Sequence, residues 1–164
     1  MKKNLTVAAA AMFVMIIVMQ WQGAELKTTT SKLGIVNLEF ADTPVLLHNL
    51  LSRWDIGVVK MNIWLDFLFI ISYTLFFAIA SAYCAMKWAE KSWPRQIGFF
   101  LARVAFAAGI FDIAENLLML QSIAGNYTDA SLNLTFYCAA IKFLLLGLVI
   151  VYLILSLPNT LSKK

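Results

Sequence analysis

The chain has 164 residues, 62% of them hydrophobic and 13% charged, with a formal net charge of +4. Soluble domains run nearer about half and about a quarter, so the balance excludes an ordinary soluble protein and defines a single integral membrane domain, residues 1–164. The positive excess does not imply a nucleic-acid partner, because the lysines and arginines sit at the ends of apolar runs, where a membrane predicts them.

Four apolar runs reach or approach the ~20 residues a helix needs to cross a bilayer. They lie near residues 5–20, 62–86, 97–120 and 132–157 and predict an all-α, four-helix transmembrane bundle. The first run follows "MKKN" and has the basic start of a signal peptide, but "QWQGAEL" after it lacks a small-x-small cleavage site, so it reads as an uncleaved helix. The first link is too long for a turn. Within it, Thr43 before Pro44 is a helix-start signal. In "PVLLHNLLSRWD", Leu47, Leu50, Leu51 and Trp54 share one face, which predicts a short amphipathic helix in the interface or across the bundle mouth. "GIVNLEFA" before it is either a second short helix or an extended segment. Together these pieces predict a cap over residues 30–60.

The basic residues orient the spans. Lys2 and Lys3, then Lys87, Lys91 and Arg95 between spans two and three, and finally Lys163 and Lys164 favour both termini in the cytoplasm of a multi-pass inner-membrane protein. Lys27, Lys32, Arg53 and Lys60 in the external first link are a mild exception. Trp21, Trp54 and Trp64 fall at the predicted outer interface and Trp88 and Trp93 at the inner one, the depth an amphipathic indole prefers. Cys84 and Cys138 fall near opposite membrane faces, so both are expected as free thiols.

Polar residues inside the spans carry the functional signal. At 1.5 Å per residue, Asp66 lies ~5 Å below the outer end of its span, Glu115 ~8 Å, Asp112 ~12 Å, Lys142 ~14 Å and Tyr73 ~15 Å. All are in the outer half; the inner half looks plain, with Arg103 as its clear charge, near enough to the end to snorkel. Faces agree with depths. Asp112, Glu115 and Asn116 share one face of the third span, Asn62, Asp66 and Tyr73 one stripe of the second, and Thr135, Cys138 and Lys142 one stripe of the fourth. A charge facing lipid costs ~3 kcal/mol near the midplane, so Asp66, Asp112, Glu115 and Lys142 are expected to converge inside the bundle. One lysine cannot neutralise three carboxylates, so at least one acid should keep its proton near neutral pH. Glu39 and His48 are candidates to close the top. Asn116, Tyr73 and Thr135 also fit the plainer role of hydrogen-bonding glue between helices.

Several chemistries find no support. The glycines form no nucleotide-binding loop, one histidine makes a zinc or haem centre a poor fit, and no nucleophile-elbow motif is present, so no cofactor is predicted. Glu39, Asp66, Asp112 and Glu115 have the oxygen ligands a hard cation takes, but Lys142 would compete for them, so no metal is predicted either. "GIVNLEFA", "LDFLFIISY" (65–73) and "AGIFDIAEN" (108–116) together resemble an uncharacterised family of small four-span bacterial integral membrane proteins. That resemblance covers about half the chain. It implies the same four-helix architecture and singles out Glu39, Asp66, Asp112, Glu115 and Asn116 as polar positions, while Lys142 lies outside the matching segments. It implies no reaction and no ligand.

The expected site is therefore Glu39, Asp66, Tyr73, Asp112, Glu115, Asn116 and Lys142, acting as a ligand pocket or proton relay. The leading expectation is binding or transport of a small amphiphile or cation in an outer-leaflet pocket, with membrane lipid as partner. The alternatives are an intramembrane lipid-modifying enzyme using Asp112 or Glu115 as acid/base, and a structural or assembly subunit in which the charges only fix helix register.

Overall fold

The computed structural model describes residues 1–162. Four long helices, α1 (Lys2–Gln22), α4 (Ile56–Ala85), α5 (Trp93–Ile123) and α6 (Asp129–Ser162), pack together, with the short helices α2 (Val36–Glu39) and α3 (Pro44–Leu51) between α1 and α4. Each long helix is long and apolar enough to cross a membrane, so the chain is a multi-pass membrane protein. The outward side chains agree: Leu68, Ile71, Leu75, Phe106, Ile110, Ile154 and Leu155 are all exposed. In water so many exposed apolar groups would be costly, whereas lipid solvates them.

The helices alternate in direction. The end of α1 meets the start of α4 where Gln22 donates to the Val58 carbonyl at 2.9 Å and Asn62 donates to Gln22 at 2.5 Å. The ends of α4 and α6 meet at the opposite side, where Asn159 donates to the Lys87 carbonyl at 2.9 Å. The bundle thus has a cap end, covered by α2 and α3, and a far end. α5 is central, packed along both α4 and α6, whereas α1 lies along α4 and makes no comparable contact with α5 or α6.

Local signals explain the ends. Thr43 caps α3 by accepting from the Leu46 amide, with Pro44 at the first helical position. Asp55 caps α4 by accepting from the amides of Gly57 and Val58. α5 stops in a Schellman motif: Gly125 has φ +82°, its amide donates to Ser122, and the Asn126 amide donates to Gln121.

The α3 segment resolves as a cover over the bundle mouth. Leu47 and Trp54 point down into a buried core with Leu26, Leu38, Val59, Ile63, Met119 and Leu132. Trp54 is therefore not an interface anchor but core, and Trp88 is half-buried with its indole N–H 3.4 Å from Ser156 Oγ. Trp21, Trp64 and Trp93 are exposed. "GIVNLEFA" is helical at its centre rather than extended.

Other differences are of extent. A 3-10 turn, Gly23–Leu26, continues α1. α4, α5 and α6 start three to six residues before the apolar runs, because capped helices extend beyond their lipid-soluble part. α6 passes through Pro158 to Ser162, its last turn held by Asn159 and by Thr160 donating to the Ser156 carbonyl at 2.9 Å. The far half is also less plain than expected: Ser81, Cys84, Tyr152 and Ser156 are all buried there. Arg103 is exposed on α5, and both cysteines are free and buried. Lys163 and Lys164 lie outside the described residues.

Candidate functional site

Between the core under the cap and the core at the far end lies a polar layer centred on Lys142. Its ammonium donates to Glu39 Oε2 at 3.2 Å, Asp112 Oδ1 at 2.9 Å and Glu115 Oε1 at 3.0 Å, and the second Glu115 oxygen is 2.9 Å away. An ammonium has three N–H donors, and each finds a different carboxylate. All four residues are buried, Glu115 completely. The place a cation would take among these acids is thus filled by the protein's own.

Three separate elements build this star. Asp112 and Glu115 come from α5, on the same small-residue face as Ala105, Ala108 and Gly109, where the backbones approach closely. Lys142 comes from α6 and Glu39 from α2. Glu39 is delivered by a turn at Gly34, whose φ of +62° suits glycine. Phe40 then locks α2 onto α6, edge-on to Phe136 at 5.3 Å and stacked with Phe143 at 6.0 Å. Burial pushes the Glu39 carboxyl above its ordinary range; the Lys142 charge opposes the shift and Asp112 adds to it.

Tyr73 of α4 extends the network, donating to the other Asp112 oxygen at 2.7 Å. Asn116 donates to Asp66 Oδ2 at 2.7 Å. Asp66 differs from the expectation here: it is half-buried and makes no ion pair with Lys142 or with any other described residue. The lysine has no N–H left for it. Thr135 also departs from its expected role, since its hydroxyl bonds the Ser131 carbonyl one turn back in α6 at 3.0 Å instead of bridging helices. His48 is exposed on α3 and takes no part.

Beside the star is a cavity of about 510 Å³. Its polar wall is Glu39, Asn62, Asp66, Tyr73, Asp112 and Lys142; the rest is mostly apolar and includes Met12, Ile16 and Met19 of α1 and Phe143, Leu146 and Ile150 of α6. Glu115 and Asn116 stand behind this wall. Because α1 packs on α4 and not on α6, the cavity lies in the space left between α1 and α6. The contribution of α1 is what sequence reasoning missed. Its run is uniformly apolar, so no polar stripe marks a face, and its lean comes from Gln22, bonded to Val58 and Asn62, and from its packing along α4.

Comparison with known proteins finds no matching family model, no matching curated protein and no matching solved structure. The class rests on the coordinates: a small four-span membrane protein with buried carboxylates tied to one lysine.

Proposed function

We propose that this protein binds a small amphiphile or cation, drawn from the surrounding lipid, in the cavity between α1, α4 and α6. The observation that carries the proposal is the junction of two unlike surfaces in one space. The acids and Tyr73 offer polar partners at one side, while α1 and α6 offer an apolar wall. At about 510 Å³ the cavity is within the range of small-molecule sites. A ligand with a polar head and an apolar body satisfies both surfaces; water alone satisfies only one. In the same reading, membrane lipid is the partner, and a bacterial inner membrane with both termini cytoplasmic is the setting. The basic residues at the far end and the resemblance of three sequence segments to small four-span bacterial membrane proteins support that setting.

The Lys142 star supports a second, compatible role. It is closed, buried and joins the cap to α5 and α6, as expected of a device that fixes register. The structural part of the polar layer is then the star, and the ligand-facing part is Asp66, Tyr73 and Asn62.

Gly147 gives a direct test. It lines the cavity, and a Cβ there would meet open space. Gly147→Phe should fill the cavity without disturbing the backbone. Native mass spectrometry of the purified protein should show a bound amphiphile or small cation in the parent and its loss in the variant, with helix content by circular dichroism and the elution profile in detergent unchanged. No bound species in the parent, or equal retention in both, would overturn the proposal.

A further inference from the structure

Resting on that reading, the geometry points to a specific ligand class: an amphiphile whose head is a primary ammonium, held by Asp66 and Asn62, with its chain leaving between α1 and α6. The donors around the cavity are already committed, while two acceptors are not satisfied. Lys142 has committed all three N–H groups to Glu39, Asp112 and Glu115. Tyr73 has committed its hydroxyl proton to Asp112. Asp66 receives one hydrogen bond, from Asn116, and has no cationic partner among the described residues.

Asn62 supplies an independent observation. It lines the cavity, is 1% exposed, and its Oδ1 has no hydrogen-bond partner. The orientation of its amide follows from the neighbouring network. The Val58 carbonyl can only accept, so Gln22 must present its N–H₂ there and its oxygen to Asn62. Asn62 then turns its N–H₂ to Gln22, which leaves its own oxygen without a donor. A buried acceptor in this state costs about 1–3 kcal/mol until something donates to it.

Asn62 and Asp66 are four residues apart on α4, so they share a face about one turn apart. Asp66 sets a carboxylate on the cavity wall, and one turn away Asn62 holds an amide oxygen buried just beneath that wall, which a donor in the cavity reaches once the side chain turns; both acceptors want N–H and one of them wants positive charge. An anion meets only acceptors. A quaternary ammonium brings charge but no N–H for Asn62. A primary ammonium brings both, with three donors. The other basic side chain in the cavity lining besides Lys142 is Lys27, which is exposed and donates to Gln20 at 2.6 Å. From the Asp66 face, the wall formed by Ile16, Phe77, Phe143 and Ile150 continues into the gap beside α1, the path for a chain that reaches lipid.

The test uses the full chain in an uncharged maltoside detergent near pH 7. Dodecylamine, dodecyltrimethylammonium and dodecanoate, equal in chain length, are compared by thermal shift and native mass spectrometry. Dodecylamine should bind about tenfold or more tighter than either, the size of one charge-assisted hydrogen bond. Asp66→Asn, which keeps the shape and an acceptor for Asn116, should erase the preference. Equal binding of all three, or preference surviving in Asp66→Asn, overturns the ammonium assignment while leaving an amphiphile site in place. Binding of none of them, with no species co-purifying, overturns both. Nanodiscs of phosphatidylethanolamine and phosphatidylcholine separate the sources. Selective retention of the former assigns a lipid headgroup; retention of dodecylamine without either lipid assigns a free alkylamine; selective retention of phosphatidylcholine overturns the ammonium assignment.

Discussion

Lys142 is the residue on which the polar layer depends. Three carboxylates face it at hydrogen-bond distance, and all four groups are out of water. Removing one partner of a buried ion pair is far more costly than never having built the pair, because uncompensated charge stays behind. Lys142→Ala should therefore lower stability by about 3–5 kcal/mol, read by unfolding in detergent; a change under about 1 kcal/mol would show that water already reaches the acids. Glu39, outside the membrane-spanning helices, gives a pH signature. Its folded-state carboxyl is held above the ordinary range mainly by burial. The folded state then keeps a proton that the unfolded state releases, so stability from this group is full at low pH and is lost as pH rises from about 4 through the raised value. Glu39→Gln cannot ionise. It should gain stability relative to the parent as pH rises above about 4, and a difference independent of pH would contradict the assignment.

Helix α5 brings the acids to one height because its inner face is made of small residues. Ala105, Ala108 and Gly109 precede Asp112 on that face, and all are buried. At Gly109 an added Cβ would lie 2.7 Å from Thr74 Oγ1 and 3.4 Å from Ile70 Cγ2 on α4. Alanine asks the threonine to turn; a larger side chain must push the helices apart. Gly109→Leu should cost about 1–3 kcal/mol and weaken the Tyr73–Asp112 bond, measurable as a lower unfolding temperature. Gly147, facing open space, serves as the control for glycine replacement in a long helix. The cap works differently: α3 uses its apolar face to cover the bundle mouth, while α2 holds Glu39 in place through Phe40.

Three of the four long helices form a close unit, α4, α5 and α6, with α1 attached along α4 alone. That asymmetry makes the cavity, because a fully packed fourth helix would fill it. The proposed orientation is open to a simple test. Lys32 lies at the cap end and Lys91, with a φ of +63°, in the α4–α5 connection at the far end. In intact cells a membrane-impermeant maleimide should label Lys32→Cys and spare Lys91→Cys, in a background with both native cysteines removed. The opposite pattern would invert the protein in the membrane.

Hydropathy was enough to reveal four spans, since a helix must hide its backbone polar groups in lipid and needs a fixed length to do so. Helical periodicity was enough to place Asp112, Glu115 and Lys142 at matching depth, and the cost of charge in lipid was enough to turn them inward. The local signals of Thr43, Pro44 and the leucines that follow were enough for α3. Neither depth nor face says which acid wins a single ammonium, and it was the packing of α2 against α6 that gave the third donor to Glu39 and left Asp66 on the cavity wall. Nor could a uniformly apolar α1 announce its lean. Lipid solvates all its sides alike, so its position comes from Gln22 and its fit along α4, and the open space beside α6 comes with it.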